Sequence, residues 1–328
     1  MKAKFILGWV IGAVAACTHP QTQPLGPAEV KFQQEAVYPE GVAYHQQEQS
    51  FLVSSLRFGR IGKVTESGVY TPFIEDTELV SSLGVHVDAP RNRVVVCNAD
   101  PGTSIRSSAS TQGTLAGVGI YNLNSGARIS YVNLGTLKPG TTHLANDAAI
   151  DAAGNIYVTD SFSPTLYKID AQGTPSVWLE DERLGAPAGA FGLNGIAYHP
   201  DGYLLVAKYN EGLLFKVPLS QPQAFQAINI SRTLVGCDGL VVRPDGKLVV
   251  VANAASPEKA LNTVFLLSSN DNWASAAIEK QVATGEVFPT TATLRGTETY
   301  VLYAQLDKLF GGQQPPAATF SIKKAEFK

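Results

Sequence analysis

The sequence predicts an all-β protein: a six-bladed β-propeller of four-stranded antiparallel blades, closed by an N-terminal strand. Three observations predict it. One hairpin pattern recurs six times, its spacing stays near the length of a four-stranded blade, and no long run of 3.6-residue hydrophobic period with caps follows the N-terminal segment.

The pattern is an alternating strand, a tight turn and a second strand. It reads "EGVAYHQQEQSFLVSS" from Glu40, "LGVHVDAPRNRVVVCN" from Leu83, "NDAAIDAAGNIYVTDS" from Asn146 and "NGIAYHPDGYLLVAKY" from Asn194. It continues as "DGLVVRPDGKLVVVAN" from Asp238 and a degenerate "TTATLRGTETYVLY" from Thr290. In the turns, Pro presets one dihedral and Gly accepts a positive φ. Third strands are predicted at Arg60–Val64, Val118–Leu123, Leu166–Asp170, Leu213–Val217, Val264–Ser268 and Phe320–Lys323. Fourth strands are predicted at "YTPFI", "ISYVNL", "PSVWL", "QAINI" and "AAIEKQV". That leaves the last blade one strand short, and "AEVKFQQE", Ala28 to Glu35, is predicted to complete it, joining the chain ends and removing an open edge. The repeat starts are 43, 63, 48, 44 and 52 residues apart. The long interval contains Ala99 to Gly119, rich in Ser, Gly and Thr, which predicts a mobile loop.

Composition excludes several classes. The 328 residues carry a formal charge of -3 with no Lys/Arg cluster, so no nucleic-acid partner is expected; a monomer acting on a small molecule is. Residues 1–17 read as a targeting segment: Lys2 and Lys4, an apolar run from Phe5 to Ala16 too short to span a bilayer, then Cys17. "VAAC" resembles a bacterial lipobox, which implies export and lipidation at Cys17, with 18–27 a tether and 28–328 one propeller domain. An ordinary secretory signal is the alternative, giving a secreted protein. With Cys17 lipidated, the membrane would be met only through the lipid, in the outer membrane or at the periplasmic face by default. Cys97 and Cys237 remain, either paired or as buried free thiols.

The inner strands of a propeller run the same way around its axis, so their first residues converge at one end. These are Glu40, Leu83, Asn146, Asn194, Asp238 and Thr290. Each Asn-Gly or Asp-Gly alone is turn chemistry. Two carboxylates and two amides gathered in a narrow channel instead call for a cation. An all-oxygen set suits Ca²⁺, with Mg²⁺ or another divalent ion served less well and zinc or copper poorly. Second strands return to the same end, placing Arg57, Asn98, Asp160, Ser161, Lys208, Tyr209, Asn253 and Tyr303 at the mouth. Arg57, Asp160, Ser161, Lys208, Tyr209 and Asn253 are the candidate substrate contacts, against the alternative of ordinary polar strand ends. His143, three residues before Asn146, is a candidate proton shuttle or a solvated loop residue; His45, His86 and His199 read as structural or surface residues.

"PEGVAY", "ANDAAIDAAGNIYVTDS", "LNGIAYHPDG" and "CDGLVVRPDG" resemble the repeats of the senescence marker protein, gluconolactonase and luciferin-regenerating enzyme superfamily, over about residues 38 to 304. The resemblance implies a divalent-cation site at Glu40, Asn194 and Asp238, with Asn146 pointing into it, and metal-dependent hydrolysis of lactones or organophosphate-like esters. Asp238 would be general base or nucleophile. The sugar lactonases of that group carry an Arg two residues before the third-blade Asn. Here the position is Leu144, which puts sugar acids in doubt and makes a more apolar lactone or ester plausible. Two other readings stand beside this one. The first is a membrane-tethered propeller that binds a ligand or protein without turnover; the second is a lyase or condensing activity, which would call for a further acidic residue in the channel.

Overall fold

The computed structural model describes Met1 and residues 25–254 and 260–327. Cys17, the remainder of the signal segment and tether residues 18–24 lie outside the described residues. The fold is nearly all β, with six sheets arranged as the blades of a propeller.

The first blade is β2 (Val42–His45), β3 (Ser50–Val53), β4 (Arg60–Thr65) and β5 (Tyr70–Glu75). The second is β6 (Ser81–Asp88), β7 (Arg93–Ala99), β8 (Ala116–Asn122) and β9 (Arg128–Asn133). The third is β10 (Ala145–Ile150), β11 (Ile156–Asp160), β12 (Thr165–Ile169) and β13 (Pro175–Glu180). The fourth contains β14 (Leu193–His199), β15 (Tyr203–Lys208), β16 (Leu213–Pro218) and the two-residue β17 (Gln226–Ala227). The fifth contains β19 (Cys237–Val242), β20 (Leu248–Ala254), β21 (Ala260–Ser268) and β22 (Ser275–Ala283), and gains β18 (Asn229–Ile230) at its rim. The sixth is β23 (Pro289–Arg295), β24 (Glu298–Tyr303) and β25 (Thr319–Lys324), completed by β1 (Glu29–Gln33). Each inner strand packs on the next around the axis, until β23 meets β2.

All six hairpins and third strands form as the alternation predicts. Two expectations are corrected. "QAINI" is not one fourth strand: β17 pairs with β16, while β18 crosses to pair in parallel with β22 of the next blade. Ile228, between them, is buried, which turns the chain inward and separates the two halves. The Ala99–Gly119 stretch, expected as a mobile loop, is strand at both ends and fastened between them. Asp100 accepts from the hydroxyls of Ser107 (2.6 Å) and Thr111 (2.7 Å), and the Arg106 guanidinium donates to the carbonyls of Gly59, Asp76 and Leu79. Short polar side chains that suggest looseness in sequence here tie the loop to itself and to blade one. Cys97 and Cys237 are buried free thiols.

The ring closes through β1. It pairs antiparallel with β25, setting Glu29 opposite Lys323 and Phe32 opposite Phe320. Phe32 is buried, its ring 5.8 Å from Phe320 and 6.1 Å from Tyr70 of the first blade, so one side chain bridges the last and first sheets. Phe32→Ala should therefore lower unfolding free energy by about 3–5 kcal/mol, read from the denaturant midpoint. A loss below about 1 kcal/mol, the range of a mild volume-conserving core swap, would mean that this closure is ornamental.

Candidate functional site

Five of the six inner strands lose register with their neighbour at their first residues. The breaks span Ser82–Val85, Ala145–Ala148, Leu193–Ile196, Cys237–Leu240 and Pro289–Ala292. Inside them lie Leu83, Asn146, Asn194, Asp238 and Thr290, so the irregular pairing re-aims the residues that the repeat placed on the axis. In the first blade the amides of Glu40 and Gly41 donate instead to the Ser54 hydroxyl (3.2 and 2.7 Å). The glycines that follow are not turn residues, since Gly41, Gly84, Gly195 and Gly239 all lack a positive φ. A Cβ there would strike, respectively, the Leu83 carbonyl, the Asp147 carboxylate, the Asp238 carbonyl and Thr291. Glycine lets adjacent inner strands approach.

The expected cation ligands converge. Two cavities, of about 380 Å³ along the axis and about 60 Å³ at the mouth, share Glu40, Asn194 and Asp238 in their walls; Asn146 lines the mouth cavity. Glu40 Oε2, Asn146 Oδ1 and Asn194 Oδ1 are buried and accept no hydrogen bond. Asn146 is held by donating through Nδ2 to the Ser161 hydroxyl (3.0 Å), which itself donates to the Leu193 carbonyl (2.5 Å). The Glu40 carbonyl accepts from the Thr290 hydroxyl (2.7 Å). Asp238 Oδ2 accepts from Asn253 Nδ2 (2.6 Å), whose Oδ1 accepts from the Tyr209 hydroxyl (2.7 Å).

Burial raises Glu40 well above the usual carboxylate range, and the charges of Asp238 and Asp147 raise it further. Burial likewise lifts Asp238, against hydrogen bonds from Asn253 and Asn194. Among the described residues no group of three or more His, Cys, Asp or Glu is placed to hold a metal ion; amide oxygens fill the places such a group would need. Three orphaned acceptors, one of them on the Glu40 carboxylate, beside the carboxylate of Asp238 fit a hard cation in chemistry.

Other expectations at the mouth are corrected. His143 is not a shuttle: its Nδ1 meets Asp160 Oδ2 (2.7 Å), and its Nε2 lies 2.9 Å from both the Lys138 carbonyl and the Thr141 hydroxyl. Burial pulls its pKa down, but the bonds to Asp160 and the Lys138 carbonyl more than offset this and raise it. Asp160 also accepts from the amides of Leu144 and Phe162, leaving nothing for a substrate. Lys208 is committed to Glu211 (2.7 Å) and the Arg183 carbonyl, Arg57 to the Thr103 carbonyl, and Asn98 to Val80, Glu78 and Tyr131. Ser161 and Asn253 hold the side chains of Asn146 and Asp238. Of the six candidate contacts, only Tyr209 lines the mouth cavity.

Asp147 carries no expected role, and His86 was expected to be a structural or surface residue. Asp147 stands where four other blades carry glycine, lines the axial channel, and accepts from the Ala148 amide (2.9 Å) beside His86 Nε2 (2.6 Å). The missing glycine in "ND" was the available signal. The apolar mouth residues were also missed.

No family model matches the chain, and no curated protein matches it in sequence. Solved structures do. The major allergen Mala s 1 of Malassezia sympodialis superposes with a TM-score of 0.71 at 20% identity, covering 92% of this chain and 96% of that one. This chain has the fold of a six-bladed β-propeller. A gluconolactonase of Xanthomonas campestris gives a TM-score of 0.59 at 14% identity over 90% of this chain and 89% of that one. A luciferin-regenerating enzyme gives 0.61 at 14% over 92% and 97%.

A raised carboxylate binds more protons folded than unfolded, so it removes stability as pH rises from the ordinary carboxylate value, about 4, toward its folded value. Chelated protein should accordingly melt at falling temperature as pH rises through that window, and Ca²⁺ should reverse the fall. At a hundredfold excess over Kd the stabilisation should be about 2.7 kcal/mol. Identical melting with and without Ca²⁺ at pH 8 would contradict a cation site here.

Proposed function

We propose that this protein is an exported, calcium-dependent hydrolase of a lactone or ester, anchored through lipid at Cys17. The observation that carries the reading is the convergence of three unpartnered buried oxygens, from Glu40, Asn146 and Asn194, with the Asp238 carboxylate on one axis. The fold likeness to gluconolactonases supports it.

When bound, Ca²⁺ would polarise the substrate carbonyl and stabilise the negative charge that develops on its oxygen. Glu40, Asn146, Asn194 and Asp238 would hold it. Asp238 would also be the general base. Asn253 fixes its Oδ2 and Asn194 also donates to the carboxylate, which would orient it toward an attacking water, and burial raises its proton affinity above that of an exposed carboxylate. Attack by Asp238 itself is the other form of the same role. Tyr209 orients Asn253 and so the carboxylate plane.

A second reading, binding without turnover, is favoured by the commitment of His143, Lys208 and Arg57 to the scaffold. Aryl esters and lactones assayed with and without Ca²⁺ decide between the two. Asp238→Asn should reduce Ca²⁺-dependent kcat/KM by about 10²–10⁴-fold with the fold retained; undiminished turnover would exclude the assigned base, and Ca²⁺ stabilisation without any turnover would favour the binding reading. Separately, Cys17→Ser should abolish palmitate labelling and release the protein from membranes, and unchanged labelling would exclude Cys17 as the anchor.

A further inference from the structure

The walls above the cation site carry a different chemistry from its floor. Leu83 and Leu144 stand beside inner-strand starts, Phe191 and Phe288 precede β14 and β23, and Leu306 and Phe310 lie on α1 (Leu306–Phe310); all six line the mouth cavity. The charged residues in that lining are Glu40 and Asp238. Phe191 packs between Phe162 and Tyr209, at ring separations of 5.4 and 6.2 Å, so an aromatic row runs to the residue that orients Asn253. Phe288 is held at φ 47°, a conformation that an aromatic residue adopts only when its surroundings impose it.

We propose that this mouth binds a hydrophobic acyl or alkyl chain, so that the substrate is an ester or lactone bearing an aliphatic chain rather than a polyhydroxylated ring. The inference rests on the hydrolase reading for the head group alone. A sugar ring would bury hydroxyls against walls whose one lining hydroxyl, on Tyr209, is already given to Asn253. An aliphatic chain leaves nothing unpaired and gains with each methylene buried.

The cavity of about 60 Å³ has room for roughly two water molecules, so a chain enters only when part of the wall moves. α1 supplies the part of that wall nearest solvent. It is a single turn between Gln305 at φ 52° and Gly312 at φ 66°, and Phe310 is 50% exposed while still lining the cavity. Phe191, Phe288, Leu306 and Phe310 are the specificity-determining residues.

The test uses Ca²⁺-loaded protein with two probe series: γ-lactones carrying side chains of one to eight carbons, for turnover, and the matching non-hydrolysable 5-alkyl-2-pyrrolidinones, for binding by calorimetry. kcat/KM and lactam affinity should each rise about threefold to fourfold per methylene before levelling, and gluconolactone should be the poorer substrate. Phe310→Ser, at a half-exposed position that leaves folding intact, should flatten both series without changing the Ca²⁺ stabilisation of the melting temperature. Turnover independent of chain length, or a full slope in Phe310→Ser, overturns the inference and leaves the hydrolase reading standing. Chain-dependent lactam binding without turnover upholds the inference and overturns the hydrolase reading. Neither binding nor turnover overturns both.

Discussion

The molecule depends on oxygen atoms withdrawn from water at a point where no protein donor reaches them. Glu40 and Asp238 are both buried, burial and the nearby Asp147 charge raise the proton affinity of each, Asp238 raises that of Glu40 further, and the amide oxygens of Asn146 and Asn194 add acceptors without donors. Leaving such groups uncompensated is among the more expensive things a fold can do. The surrounding features make sense as its support. Ser54 and Thr290 fix the backbone at Glu40, Ser161 and Asn253 hold the side chains of Asn146 and Asp238, and register breaks at the strand starts turn Asn146, Asn194 and Asp238 toward the axis.

Much of this was legible in the sequence, for identifiable reasons. Period-2 alternation and Pro-Asp-Gly turns are local signals, so the hairpins and their common direction followed from them, and with direction came the meeting of Glu40, Asn194 and Asp238. What local patterns do not encode is the partner across a blade boundary. Asn194-Gly195 and Asp238-Gly239 read as turns, yet their glycines serve close approach between neighbouring strands. His143 and Lys208 look free in sequence because Asp160 and Glu211 gain meaning only once strand ends are folded together. The mouth was least legible, since Phe191, Phe288 and Phe310 come from connections with no periodicity to betray them.

The cationic side chains near strand ends turn out to be structural. Lys208, Arg57 and Arg106 hold carbonyls and carboxylates of the connecting segments, so the scaffold consumes the groups that would otherwise recognise an acidic ligand. Recognition is left to shape and apolar contact, with polarity confined to the floor. That division is economical for an ion-assisted reaction on a carbonyl, because a dry wall strengthens every electrostatic interaction beneath it.

The register of β1 against β25 has a geometric corollary. Inner strands begin at the mouth, so β24 returns toward it, β25 runs away from it, and Glu29, opposite Lys323, sits at the far face of the disc. The described chain thus enters the propeller on the face opposite the opening, and its first strand leaves the mouth unobstructed by the N-terminal connection.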